Sequence, residues 1–368
     1  MSTGSEPIPV TILTGFLGAG KSTLLNHLLS RPEMADSAVL INEFGEVGLD
    51  HLLVREVSED IVMLNSGCLC CTVRGDMITA LRDLFLKRVR GDVPEFQRLV
   101  IETTGLADPA PILHTIMTDP LIGARYRLDG VVCVVDALHG DGQLDAQEEA
   151  VKQAAVADRL VLTKTDLAPA ETLTALKTRL RRLNPAAPML VAEHGVLDPT
   201  SLLQCGLFDP SKKTPDVAAW LKAEAYAEPH GDGNDHGHSH DHHGHEHGHG
   251  HHHGHAHDVN RHDSRIAAFC LTFDDPVPWD GFIFAMEMLI ASKGADLLRI
   301  KGVLHVIGQD SPVAVHGVQH VFHPPAPLPV APEALPPRSE LVFITRDLDK
   351  ATVEKIFLAT LEDQAVTG

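Results

Sequence analysis

The run VTILTGFLGAGKSTLLNHLL, Val10 to Leu29, constrains the fold of this chain more than any other stretch. It opens as a short apolar, β-branched strand of the kind buried on both faces. It closes as a helix over Lys21–Leu29, with leucines at helical spacing. Between them GFLGAGKS, Gly15 to Ser22, fits G-x-x-x-x-G-K-[ST], and strand, loop and helix stand in the order that pattern requires. Glycines let successive backbone N–H groups curl around phosphate oxygens, and a helix N-terminus adds positive potential. Gly15, Gly18, Ala19, Gly20, Lys21, Ser22 and Thr23 are therefore expected to hold nucleotide phosphates. In that arrangement Lys21 is the catalytic point charge on the β/γ-phosphates, exposed to them, and Ser22 offers a hydroxyl to Mg²⁺. A glycine-rich turn without ligand is the competing reading.

The rest of the chain keeps the same rhythm. Further strands are expected at Ala38–Asn42, Ile61–Leu64, Leu99–Glu102, Gly130–Asp136, Leu160–Thr163 and Met189–Ala192, with helices such as Thr79–Arg88 and Thr172–Leu183 between them. Short buried strands alternating with amphipathic helices predict a doubly wound α/β domain on a mostly parallel sheet. From His230 to His257 the chain holds 14 histidines among Gly, Asp and Glu, a composition that cannot bury a core and predicts a disordered tract. After Arg265 the expected elements are strands Ile266–Phe273, Leu297–Ile307, Val313–Phe322 and Leu341–Thr345, and helices Trp279–Ser292 and Lys350–Leu361. The division is thus 1–210 for a nucleotide domain, 211–264 for a linker containing tract 230–257, and 265–368 for a small α+β domain.

Composition removes several function classes. A formal net charge of −20 argues against nucleic acid held by a basic surface. The opening MSTGSEPIPV lacks the basic and apolar regions of a signal peptide, and no run of about 18 apolar residues suggests a membrane span. Six cysteines in 368 residues make no disulfide framework, so a cytoplasmic, reducing location is expected.

Two later motifs point to the kind of nucleotide. LVIETTG, Leu99 to Gly105, ends a strand on Glu102, which can hold Mg²⁺ directly or through water and is grouped with Lys21 as catalytic. Gly105 lets a backbone N–H approach a γ-phosphate. For Glu102 the competing reading is an acid at a helix start. LVLTKTD, Leu160 to Asp166, also ends a strand. There Thr163, Lys164 and Asp166 are expected at the base, with the Lys164 stem packed on it and Asp166 accepting from a guanine edge.

With these residues in hand, the chain resembles CobW-type GTPases. GFLGAGKST, INEFGEVGLD, GCLCCTVRGD, ETTGLADP and TKTD occur in that family's order, and ADLLRIKGVLHVIG with VAVHGVQHVFHPP is similar to its C-terminal domain. The resemblance spans both domains and implies a GTP-dependent metallochaperone or metal-insertion protein. Thr163 stands where relatives often carry Asn.

NSGCLCCTVRGD, Asn65 to Asp76, places Cys68, Cys70 and Cys71 within four positions. Thiolates are soft ligands that suit Zn²⁺, and this spacing can present two or three of them to one ion. A fourth ligand must come from water, Glu43, Glu46 or a partner, and an incomplete shell suits transfer better than permanent structure. Glu43 is a candidate ligand for this metal or for Mg²⁺, with a solvated loop acid as the alternative. A redox thiol pair is the rival reading of the cysteines. Cys133 and Cys270 sit in apolar runs and read as core, while Cys205 stands isolated. His316 and His320 would share one strand face, and with His305 and His323 they read first as a solvated surface and second as a further metal or partner surface.

The leading expectation is therefore a GTP-hydrolysing metallochaperone that uses GTP and Mg²⁺ and delivers Zn²⁺ to a metal-requiring client protein. Co²⁺ handling in cobalamin biosynthesis is the runner-up, and a non-enzymatic zinc buffer or regulator is the contrasting class. A homodimer is included among the expected partners, and nucleic acid and membrane are not.

Overall fold

The computed structural model describes residues 6–42, 62–66, 73–203, 265–322, 325–328 and 338–365. Glu43, Glu46, Cys68, Cys70, Cys71, Cys205, His323 and the tract 230–257 lie outside the described residues.

Seven strands form the first sheet: β1 (Ile8–Gly15), β2 (Ser37–Asn42), β3 (Val62–Ser66), β4 (Arg98–Thr103), β5 (Tyr126–Asp136), β6 (Arg159–Thr163) and β7 (Met189–Ala192). Their spatial order is β3-β2-β4-β1-β5-β6-β7, and every pairing is parallel. Helices cover both faces, which is why the strands read as unbroken apolar runs. On one face Val10, Ile12, Leu40, Leu99 and Ile101 pack with Met77, Leu81 and Leu84 of α2 (Val73–Arg90) and Ile112, Leu113 and Ile116 of α3 (Ala110–Thr118). On the other, Leu13, Val39, Val100, Val134 and Val161 pack with Leu24, Leu25 and Leu28 of α1 (Lys21–Leu29). α4 (Pro120–Gly123), α5 (Gly140–Ala146), α6 (Glu148–Ala155), α7 (Ala170–Leu183) and α8 (Pro199–Leu202) complete the covering.

The second sheet is antiparallel, in the order β11-β10-β9-β13-β8, with β12 (Ala326–Pro327) paired to β10. Its strands are β8 (Ile266–Phe273), β9 (Leu297–Leu304), β10 (Val313–Val318), β11 (Val321–Phe322) and β13 (Ser339–Arg346). Two helices, α9 (Trp279–Lys293) and α10 (Lys350–Ala365), cover one face through Phe282, Met286, Leu289 and Phe357. The other face packs on the first domain: Leu298, Val303, Ala314, Val342 and Ile344 share a core with Ala154, Ala155, Leu176 and Leu180.

β9 is buried along its whole length because both of its faces are covered. Ile300 and Leu304 meet the helices, while Arg299, Lys301 and Val303, at the strand period of two, turn toward the first domain. There Arg299 donates to Val156 O and to Asp158 Oδ1, and Lys301 Nζ donates to Asp158 Oδ1 at 2.8 Å. The amide of Val131 donates to Asp158 Oδ2 at 2.9 Å.

One expected strand is corrected. Val313–Phe322 is not continuous: it breaks into β10 and β11, a hairpin turning at Gln319 and His320. Gln319 sits at φ 53°, in the left-handed region. His320 therefore lies in the turn, and the expected shared face with His316 is absent.

Candidate nucleotide and metal site

The carboxyl ends of β1, β4 and β6 bring the phosphate and base motifs to one edge of the first sheet. β1 ends at Gly15, where a Cβ would stand 2.2 Å from Val134 O, so no larger residue fits. Gly18 and Gly20 adopt φ 74° and 92°, which turns the loop back on itself ahead of α1. The N-terminus of α1 has no side-chain cap and no acid in its first turn. Such an end leaves its amides and its positive dipole for an anion. Ala19 is buried in the core, so only its backbone faces the loop, and Thr23 is exposed on the first turn of α1.

Lys21 folds back onto its own loop. It is only 8% exposed, and its Nζ donates to Gly15 O at 2.8 Å and Phe16 O at 3.3 Å. The physical reason is that an ammonium beside a tight loop satisfies its three donors on the nearest carbonyls.

Ser22 Oγ donates to Glu102 Oε1 at 3.2 Å. Glu102 is the fifth residue of β4, in register with Leu13 of β1 and Ile41 of β2. It is buried inside a strand, so the helix-start reading of this acid is excluded. Gly105 lies against the loop: a Cβ there would meet Leu17 N at 2.4 Å and Leu17 Cα at 2.7 Å.

At the far side Thr163 ends β6 and its hydroxyl donates to Ala19 O at 2.7 Å, tying the two motifs together. Lys164, at φ 54°, donates through Nζ to Gly18 O at 2.7 Å and to Asp136 Oδ2 at 2.6 Å. Asp166 is exposed in the turn after β6.

Asp136 escaped the sequence reading, although an acid ending GVVCVVD beside a TKTD turn is a usable signal. Burial works against its charge, but the hydrogen bond from Lys164, the amides of His139 and Leu138, and the nearby ammonium outweigh it and hold the carboxyl below the usual carboxylate range. Gln153 of α6 also went unread. It is fully buried, and its Nε2 donates to Gly105 O at 3.2 Å and Ala107 O at 3.0 Å. No local pattern marks such a residue.

Among the described residues no group of three or more His, Cys, Asp or Glu converges as metal ligands. The segment carrying Cys68, Cys70 and Cys71 joins the end of β3, at Ser66, to α2, and the one beginning at Glu43 leaves the end of β2, at Asn42. Both thus depart from the same sheet edge as Gly15 and Glu102, since the strands are parallel. Cys133 and Cys270 behave as core residues: burial pushes their thiols up to about 12 and about 11. His114 Nε2 donates to Val318 O at 3.0 Å, and its ring meets that of His320 edge to face at 4.6 Å.

Residues 9–191 match the family described as CobW/HypB/UreG, nucleotide-binding domain, and residues 266–361 match the Cobalamin synthesis protein cobW C-terminal domain. The chain is 34% identical to the zinc chaperone YjiA of Escherichia coli strain K12, over 96% of this chain and 98% of that protein. The chain belongs to the CobW family of P-loop GTPases. It is also 38% identical to the zinc-regulated GTPase metalloprotein activator 1 of Schizosaccharomyces pombe, over 53% of this chain and 48% of that protein. The crystal structure of zinc-bound YjiA GTPase from E. coli superposes with a TM-score of 0.68 at 30% identity, over 97% of this chain and 99% of that one. A zinc-bound YjiA variant with one glutamate and two cysteines changed to alanine gives 0.67 at 29% identity, over the same shares. Among the described residues no helix of this CobW-family chain is long and apolar enough to cross a membrane.

Proposed function

We propose that this chain hydrolyses GTP and uses the nucleotide cycle to bind and hand on zinc as cargo to a metal-requiring client. The observation that carries the reading is the Ser22–Glu102 contact behind a glycine loop whose helix end is uncapped, in a chain that matches a zinc chaperone over nearly its whole length. Ser22 and Glu102 offer oxygen donors side by side, a donor set that suits Mg²⁺. Mg²⁺ held by these two residues would supply charge neutralisation for the phosphates. Lys21 releases at least one loop carbonyl and turns its ammonium to a phosphate oxygen. The amides of Gly18 to Ser22 cradle the phosphates, and Thr23 extends the same turn. Gly105 brings its N–H to the γ-phosphate. Thr163 and Lys164 brace the loop from the base side, and Asp166, exposed beside them, accepts from the guanine edge.

Cys68, Cys70 and Cys71 are the proposed zinc ligands, with Glu43 as a further donor. Residues 1–210 carry the nucleotide and the thiolates, 265–368 form the second domain, and 211–264 join them in the cytoplasm. Cobalt is the second reading, favoured by the cobalamin description of the family matching 266–361. The zinc-named relatives weigh against it. The test is zinc and cobalt affinity measured with a Mg²⁺–GTP analogue, with GDP and with no nucleotide. Zinc should bind more tightly with the GTP analogue, by about 5- to 150-fold, and must tighten that nucleotide by the same factor. Because the relative's variant still holds zinc, affinity and not mere occupancy is the readout. Equal affinity in all states would end the delivery mechanism.

A further inference from the structure

The loop Gly105–Asp108 is held by two carboxamides that come from different parts of the fold. Gln153 reaches it from α6 beneath the sheet edge: its Nε2 donates to both Gly105 O and Ala107 O. Two carbonyls facing one group fix which end of the carboxamide is the NH₂. Its Oε1 is buried and meets no donor among the described residues. An orphan acceptor in a core is unfavourable, so simple packing would be served better by Met or Leu at this position. The two donated bonds account for a polar residue here.

The second carboxamide is Gln319, at the tip of the β10–β11 hairpin. Its Nε2 donates to Asp108 Oδ2 at 3.1 Å. Asp108 Oδ1 meanwhile accepts from the amide of Ala110 at 2.9 Å, opening α3, and Lys152 Nζ stands 3.8 Å from Oδ2. Gln319 holds a left-handed backbone that a residue with a Cβ adopts only at a cost. The turn places the amide against the loop in return. In front, the loop touches the phosphate loop so closely that Gly105 has no room for a Cβ beside Leu17.

We propose that Gln153 and Gln319 are positioning residues for nucleotide hydrolysis, which together hold Gly105–Asp108 against the phosphate loop and give the C-terminal domain a direct share in sensing the γ-phosphate. The inference rests on the proposed GTP reading of Gly105. Neither glutamine touches nucleotide, so both act through the loop. Their removal should spare what GDP contacts and weaken what only GTP contacts.

The test uses the full-length chain with Gln153→Met, which keeps the volume and loses both bonds, and Gln319→Leu, which loses one. GDP and a non-hydrolysable GTP analogue are titrated separately, turnover is measured, and amide exchange over 103–109 is followed without nucleotide. For Gln153→Met the GTP analogue should bind about tenfold more weakly, GDP should be unchanged, turnover should fall about tenfold, and exchange should quicken. Gln319→Leu should move each quantity the same way by about threefold to fivefold. Equal weakening of both nucleotides, or unchanged exchange, would overturn the proposal. Should Gln153→Met fail to fold, Gln319→Leu decides alone. If the unaltered chain prefers no GTP analogue yet exchange still quickens, the positioning stands and the GTP reading falls. If GTP turnover is sound and exchange is flat, the reverse holds.

Discussion

Replacing Asp158 by Asn should be the costliest single polar change in the molecule. Asp158 sits between the domains with its carboxylate only 7% exposed, Arg299 and Lys301 on one oxygen and the Val131 amide on the other. Burial alone would push its carboxyl up, but Arg299 first, then Lys301 and His316, more than reverse this and keep it ionised well below the usual carboxylate range. Asparagine keeps the shape and removes the charge, leaving two buried cations facing a neutral amide. Breaking a buried pair in this way costs about 3–5 kcal/mol. Against a typical stability of about 5–15 kcal/mol that is a large fraction. The assay is urea unfolding followed by the fluorescence of Trp279, which packs against Phe282 in the second domain at 5.6 Å, in a background with Trp220 changed to Phe. The pH sign follows from the depressed pKa. The carboxylate's contribution is fully present above the unfolded value near 3.9 and is lost as pH falls through the folded one. The gap between the two proteins should thus be equal at about pH 5 and about pH 6 and close only below about pH 4. The triple change Asp158→Leu, Arg299→Met, Lys301→Leu should recover most of the loss, to within about 1–2 kcal/mol. A loss under about 1 kcal/mol for Asp158→Asn, or a gap that closes between pH 6 and 5, would refute the assignment.

Three further outcomes are expected. Lys21→Ala should abolish tight GTP binding by calorimetry and lower stability by about 2–3 kcal/mol while leaving the chain folded, since the buried Nζ holds two loop carbonyls. Asp166→Asn should lower the GTP-over-ATP preference in turnover by at least about tenfold, because a guanine edge then faces a mispaired amide. Deleting 230–257 should reduce zinc bound per chain, measured by elemental analysis, and leave GTP turnover unchanged; acidifying the intact chain through about pH 6.5 should release the same zinc.

What the sequence disclosed and what it withheld divide by range of interaction. The strand–loop–helix unit was legible in order: α1 runs over Lys21–Leu29 as its leucine spacing implies, while β1 starts at Ile8, two residues ahead of the expected Val10. Strands buried on both faces announce themselves as apolar runs, so all seven of the first sheet could be placed. Local composition could not reveal that Val313–Phe322 turns at Gln319, because glutamine carries no turn preference and its left-handed backbone is stabilised from outside the hairpin. Lys21 was read for its bonds to phosphate, and without one its Nζ donates to carbonyls of its own loop. Asp136 and Gln153 act on partners 28 and 48 residues away, and Arg299 on one 141 away, distances at which no spacing rule operates. The thiolate motif is the converse case: fully legible in sequence, and outside the described residues.

The second domain meets the nucleotide domain at several places, among them the Asp158 cluster, the Arg346–Glu148 pair and the β10–β11 hairpin, and they differ in chemistry. Arg299 and Lys301 grip Asp158, the residue just before β6, and β6 ends on Thr163, whose hydroxyl holds Ala19 of the phosphate loop. That end is buried, doubly charged and backed by a shared apolar core. At the hairpin, Gln319 donates to Asp108, His114 Nε2 donates to Val318 O, the His114 and His320 rings meet, and Val318 is buried with Ile112, Leu113 and Ile116 of α3. In the proposed reading, a γ-phosphate that drew the Gly105 loop forward, or released it, would act directly on the Asp108–Gln319 bond. Under the proposed reading the hairpin is thus the end that the Gly105 loop loads directly, and the Asp158 cluster is reached only through β6. A nucleotide-driven change that instead opened the Asp158 cluster would need to separate two cations from a carboxylate inside a shared apolar core, whereas the hairpin contacts include no ion pair of Gln319.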